Sequence, residues 1–250
     1  MFWFDPNYFW YIFIPTILLS LGVQIYLKRT FSKWSKVENA ANLTGREVAD
    51  VLIEETPLEP IPVERTKQPL GDHYDPKENV VRLSPPVGDA DSVSAMAVTA
   101  HEFGHVQQYQ TGSSLIKARS FLLPAVMFSP TIMYISALLG LLFNMTNLLW
   151  VAIIFFGLTV LFSLLTLPVE FDASKRGLTM LREDNLFGSE EEAAGARKVL
   201  TAAALTYVAA FITSVLQFVY YFRGIHQEID RDKAQEAKKE ARQQTSRARR

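Results

Sequence analysis

The sequence predicts a mainly α-helical integral membrane protein, with about four transmembrane helices and a small α+β unit at the membrane surface. Three observations carry this. Long uncharged stretches run from Tyr8 to Leu27, Ser120 to Phe143, Leu148 to Leu167 and Ala202 to Phe222. Each has about the 20 residues that a helix needs to cross the hydrocarbon core. Residues 30–119 form the longest polar segment and mix helix, turn and strand patterns. Within it, the run Ala100-His-Glu-Phe-Gly-His105 places two of the four histidines of the chain four residues apart.

The first stretch is followed directly by Lys28, Arg29, Lys33 and Lys36. It reads as a signal anchor with its amino end outside rather than as a cleaved signal peptide. Ser32 to Leu58 then reads as helical, with a Thr44-x-x-Glu47 capping box inside it. A proline-rich connection, Pro57 to Pro62, leads to Asp72-His-Tyr-Asp-Pro76. After the turn Lys77-Glu-Asn79, residues Val80, Val81, Arg82, Leu83 and Ser84 read as a short strand. Asp89, Asp91 and Ser92 offer caps for a helix over Ser92–Tyr109, and Gly112 is a plausible stop.

That helix carries Ser94, Thr99, His101, Glu102, His105, Gln107, Gln108 and Gln110. Hydrocarbon penalises such a set severely, so the helix belongs at the membrane surface and not across it. Gly104 costs about 1 kcal/mol relative to alanine in a helix interior, which implies a packing reason for it. Asn144-Met-Thr-Asn147 makes a short turn, so the second and third stretches form an antiparallel hairpin. Pro124 is expected near a helix start, and Pro168 at a start or kink. The parsing is an anchor over 1–29, a metal-site unit over 30–119 and a transmembrane hairpin over 120–167. A helical segment follows over 168–202, then a fourth transmembrane segment over 203–222 and a charged tail over 223–250.

Eleven Lys or Arg lie in 28–119 and five in 168–202, with none before residue 28 and none in 144–147. By the positive-inside rule both polar segments face the cytoplasm. The tail pulls the other way, with nine Lys or Arg against five acidic residues, and reads as a solvated helix or disorder. A net charge of −1 suggests no nucleic-acid partner, and the absence of cysteine leaves metal binding to His and carboxylate.

On a helix, residues four apart share a face, so His101 and His105 can reach one metal ion while Glu102 reaches a water bound to it. A hydrolytic zinc site needs this set: neutral nitrogen ligands, an open position and a carboxylate base. The third ligand is then a carboxylate or His73. The hairpin returns Pro168-Val-Glu-Phe-Asp172 to the side that carries the motif helix. Glu170 and Asp172 cannot both face one metal, because residues two apart on a helix point nearly opposite ways.

Three blocks carry a resemblance: Asp72-His-Tyr-Asp-Pro with Val-Arg-Leu-Ser, Ala-His-Glu-Phe-Gly-His, and Leu-Pro-Val-Glu-Phe-Asp-Ala-Ser. With them the chain resembles, from about residue 4 to 222, the YugP-type membrane zinc metallopeptidases. Those are similar in arrangement to the HtpX and prenyl-protein endopeptidase group of gluzincins. The resemblance implies a zincin-like unit in 30–119, one Zn2+ per chain and a peptide or membrane-protein substrate. It makes Glu170 the third ligand and Glu102 the general base. Ser174 stands where the wider group has an Asp, so support of the ligands falls to Asp172 or Ser174 in some other way.

The resemblance also implies that Val80–Ser84 is the edge strand on which substrate docks; an ordinary structural strand is the alternative. His73 is either an oxyanion donor or a surface histidine, and Tyr207 is expected in the core. The rival to an enzyme is a non-catalytic membrane scaffold with a structural or vestigial metal site. A hydrolase for lipid-linked substrates is a further alternative.

Overall fold

A computed structural model describes residues 6–68, 71–143 and 145–248. In chain order the helices and strands are α1 (Pro6–Trp34), α2 (Gly45–Glu55), β1 (Val63–Arg65), β2 (His73–Asp75), β3 (Val80–Leu83) and the short α3 (Pro85–Gly88). Then follow α4 (Val93–Gln110), α5 (Ser114–Leu142), α6 (Thr146–Glu183) and α7 (Glu190–Ala248). Helices α1, α5 and α6, and α7 over Glu190–Gln227, are long and apolar enough to cross a membrane. The fold is therefore the expected one, mostly helical with one small sheet. The chain divides into two compact units, one formed by Leu18–Phe121 with Ser163–Ala210 and the other by the remaining segments.

Transmembrane stretches and helices do not share boundaries. The third stretch and the segment after it form a single helix with Pro168 inside it, and α7 runs unbroken from the fourth stretch through the tail to Ala248. Pro124 and Pro130 also lie inside a helix, because α5 begins at Ser114. A membrane helix tolerates an interior proline where local adjustments satisfy the freed carbonyl. Three residues, 143–145, join α5 to α6, of which Asn144 lies outside the described residues; Gly140 packs against Leu149 across this hairpin.

Ser32–Leu58 is not one helix. Helix α1 stops at Trp34, and residues 37–43 dock on the start of α4: Val93 N donates to the Val37 carbonyl at 2.9 Å, and the Asn39 amide donates to the carbonyls of Leu43 and Asp91, each at 2.7 Å. Asn42 takes φ 54°, a left-handed turn that Asn tolerates better than most residues. Helix α2 then starts afresh on the expected capping box, with Thr44 Oγ1 accepting from Glu47 N and Glu47 Oε2 from Thr44 N. Such a cap is worth about 1 kcal/mol.

The core of this unit centres on α4. Val48, Ala49 and Leu52 of α2, Val81 and Leu83 of β3, and Met180 and Leu181 of α6 pack against Met96, Ala100, Phe103 and Val106. A second cluster sets Trp34, Val199 and Leu200 against Val93 and Ala97. Helix α4 is thus enclosed on several faces, and its small residues follow from that. A Cβ on Gly104 would lie 2.1 Å from the Ala173 carbonyl oxygen of α6, and one on Gly177 would lie 2.4 Å from that of Ala100. The two glycines let α4 and α6 approach backbone to backbone, which is the packing reason expected for Gly104.

The strand order is β1-β3-β2, with β1 parallel and β2 antiparallel to β3. Val80–Leu83 is therefore the central strand, paired on both sides, and the expectation that it is a free edge is corrected. Val80, Val81 and Leu83 are buried. Arg82 is held by Glu64, Asp75 and Glu78, and Ser84 N donates to Asp72 Oδ1 at 2.6 Å. A short apolar run does not reveal how many neighbours a strand has.

In the other unit, Leu149, Ile153 and Ile225 are buried together, and the Phe156 and Phe218 rings meet edge-on at 5.9 Å. Met127, Phe128 and Leu142 of α5 stand exposed, as residues facing lipid do.

Candidate metal centre

The i,i+4 spacing on α4 puts the His101 and His105 rings 4.8 Å apart, nearly perpendicular. The crossing at Gly104 and Gly177 brings Glu170 of α6 against them. His101 Nε2 lies 3.4 Å and His105 Nε2 3.6 Å from Glu170 Oε2. One ligand atom from each of the three residues lies within 4.8 Å of the other two. Glu170 Oε2 is buried and accepts no hydrogen bond. Zinc bonds of about 2.1 Å at tetrahedral angles imply ligand atoms about 3.4 Å apart. The donor set, its spacing and the orphaned oxygen fit a zinc ion held by these three residues.

Burial works against a charge on Glu170, but the two imidazoles beside it outweigh burial and hold its carboxyl well below the usual range. Burial also works to lower the pKa of His105; Glu170, Glu102 and Gln108 leave it raised on balance. The pocket concentrates negative potential where a cation would sit.

Outer partners fix the two imidazoles. His101 Nδ1 meets Ser174 Oγ at 3.1 Å, and His105 Nδ1 meets Gln108 Oε1 at 3.0 Å. A metal ion on both Nε2 atoms would leave the hydrogen on each Nδ1, where Ser174 and Gln108 can accept it. The Gln108 amide is oriented in turn, donating to the Val169 carbonyl and to Asp172 Oδ2, both at 2.8 Å. Arg176 Nε donates to the same Asp172 oxygen at 2.7 Å, and its Nη1 donates to Gln107 Oε1. Burial works against the charge on Asp172, yet the Gln108 and Arg176 bonds hold its carboxyl below the usual range.

Of the expected site residues, the structure thus brings together His101, His105, Glu170, Glu102 and Ser174. Asp172 is not among the three clustered ligands and is linked to His105 through Gln108. Glu102 is buried, and its Oε2 accepts the Tyr74 main-chain N–H of β2 at 2.9 Å. His73 is exposed and bonds the Gly71 carbonyl through Nδ1 at 2.8 Å, outside the cluster. Tyr207, expected in the core, is 37% exposed, and its hydroxyl interacts with Glu170.

Gln108, Arg176 and Tyr74 escaped the sequence reading. Two of them carried a signal: Gln108 is three residues beyond His105 and Arg176 four beyond Asp172, spacings that share a helix face. Supports of this kind typically account for 10–100-fold in metal affinity. Gln108→Ala and Ser174→Ala should each weaken zinc binding by about that factor in a competition titration with a coloured chelator. Unchanged affinity in both would deny these residues a supporting role.

The family described as "Putative neutral zinc metallopeptidase" matches residues 9–225. The chain is 40% identical over 217 residues to the "Putative membrane protease YugP" of Bacillus subtilis (strain 168), covering 86% of this chain and 96% of that protein. No solved structure matches the chain. The family match, the membrane relative and the four apolar helices identify an integral membrane protein. With nearly the whole chain inside the match, the protein belongs to this neutral zinc metallopeptidase family.

Proposed function

We propose that this protein is a multi-pass membrane zinc endopeptidase whose active site faces the cytoplasm. One observation carries the reading: the two imidazole Nε2 atoms converge at tetrahedral spacing on the buried, unbonded Glu170 Oε2. His101, His105 and Glu170 would hold one Zn2+, which supplies Lewis acidity to a carbonyl and acidifies a coordinated water. Glu102, on the helix that carries both histidines, takes the proton from the attacking water and returns it to the leaving amine. Tyr207, with its hydroxyl toward Glu170, is better placed than His73 to donate to the developing oxyanion.

The strand correction moves the substrate edge. β3 has no free side, whereas among the described residues β2 pairs only with β3. In an antiparallel pair, alternate residues point their main-chain groups outward, and the Tyr74 N–H points toward Glu102. An extended peptide adding to β2 places its backbone beside the base. The cytoplasmic orientation rests on the Lys and Arg of 28–119 and 168–202, and proximity to the bilayer favours membrane-protein loops and ends as substrates.

Metal analysis of the purified full-length protein tests the site. Wild type should carry about one zinc, and His105→Ala and Glu170→Ala should lose most of it. Zinc content unmoved by both substitutions refutes the assignment. Zinc ligation needs neutral imidazoles, and His105 holds its proton more tightly than a free histidine, whose pKa is about 6.5. Proton competition for His105 should therefore begin above pH 6.5, and zinc affinity should fall progressively as pH drops below that point.

A further inference from the structure

A groove of about 480 Å3 runs between α6 and α7 on the unit that holds the metal cluster, and it touches that cluster at Ser174, the partner of His101. That volume falls in the range of ligand pockets, roughly 300–1,000 Å3. Its composition changes along its length. Phe171, Leu200 and Ala204 line one end, next to the points where the apolar stretches 148–167 and 202–222 meet the polar chain. Lys175, Arg197 and Arg182 line the groove progressively farther from those stretches along the two helices. From Phe171 to Arg182 the α6 wall is about 16 Å long at 1.5 Å per residue.

The cationic end is not neutralised. Glu183 is the carboxylate that lines the groove with Lys175, Arg182 and Arg197. The contact of Arg182 with Glu190 is long, 3.5 Å, and exposed on both sides, and such a pair contributes little. The groove continues into a depression that shares Arg182 and Arg197 with it and adds Lys198 and, from α1, Tyr26. Four cations thus face two carboxylates, in a trough with an apolar end and a floor of Leu178 and Phe187.

Both walls are helices whose main-chain hydrogen bonds are internal, so an extended peptide finds no edge here to pair with. A free phosphate would leave the apolar end uncovered. An amphiphile with an anionic head and a hydrocarbon tail satisfies both ends, and anionic lipids attract basic residues beside a membrane helix. We infer that the α6–α7 groove is a binding site for an anionic phospholipid, with its phosphate among Lys175, Arg182 and Arg197 and its acyl chain leaving past Phe171 and Ala204.

Full-length protein in phosphatidylcholine nanodiscs, doped with phosphatidylglycerol, supplies the test. Bound lipid is read by native mass spectrometry after detergent release. Wild type should retain phosphatidylglycerol in preference to phosphatidylcholine. Because one basic residue near an anionic lipid is worth roughly fivefold, the double variant R182Q/R197Q should lose roughly 30-fold in that preference. Both side chains are exposed, so this variant should keep the wild-type unfolding temperature in phosphatidylcholine, and its zinc content. Replacing Lys28, Arg29 and Lys33 of α1, and Lys36 just beyond it, by glutamine (the α1 variant) should leave most of the preference intact. Millimolar inorganic phosphate should not displace the lipid. The inference is overturned if R182Q/R197Q binds phosphatidylglycerol like wild type. It is equally overturned if the α1 variant loses the preference to the same degree, which marks diffuse surface attraction, or if phosphate displaces the lipid.

Discussion

Glu102→Gln should keep its full complement of zinc and lose peptide-bond cleavage, with kcat falling by roughly 10²–10⁴, the share typical of a general base. Glutamine is the informative replacement for a structural reason. Its amide oxygen can still accept the Tyr74 N–H that Glu102 Oε2 accepts at 2.9 Å, so strand β2 stays in place while the side chain can no longer take a proton. Alanine would leave that half-buried N–H without its partner, at a cost of up to about 1–3 kcal/mol, and would confuse lost chemistry with lost structure. Comparing membranes that contain wild type or Glu102→Gln by proteomics would also reveal substrates. Undiminished turnover in the variant removes Glu102 from the mechanism.

The second large effect belongs to a residue with no chemistry. Gly104→Ala puts a Cβ 2.1 Å from a main-chain oxygen and 3.0 Å from the Cα of Ala173, and backbone cannot yield as a flexible side chain can. Helices α4 and α6 must separate. His101 and His105 flank Gly104 on one helix, and Glu170 and Ser174 flank Ala173 on the other, so the separation widens the 3.4 and 3.6 Å spacings. Overpacking of this kind costs about 1–3 kcal/mol. Thermal unfolding should register that loss, and zinc affinity should fall with it. Gly177→Ala should behave alike, since its Cβ would lie 2.4 Å from the Ala100 carbonyl oxygen. The double variant should lose less than the sum, because helices parted by one methyl already accommodate the other. Strict additivity in a double-mutant cycle contradicts a shared contact.

These positions show what the sequence makes legible. Four membrane-length stretches need only composition and length, and the Thr44–Glu47 capping box needs only four residues in a row. His101, Glu102 and His105 share a helix, so their spacing is local, and the short turn after Phe143 indicated that Glu170 returns to them. What stayed hidden depends on neighbours remote in sequence. Nothing in Val80–Leu83 states that a parallel strand covers its other side. Gly104 signalled tight packing, but its partner Ala173 lies 69 residues on. Helix ends were misplaced for a related reason. Polar residues end a transmembrane stretch without ending the helix, so α6 passes through Pro168 and delivers Glu170 from within a single rod.

The bond between Tyr74 N–H and Glu102 makes the proposed base and the proposed docking strand each other's occupant at rest. Under the proposed function, a peptide adding to β2 would offer a carbonyl to that same N–H and so free the carboxylate. The site would then be interlocked, with arming set by main-chain engagement rather than by any particular side chain. Such a device would ask of a substrate only a stretch of exposed, extended polypeptide.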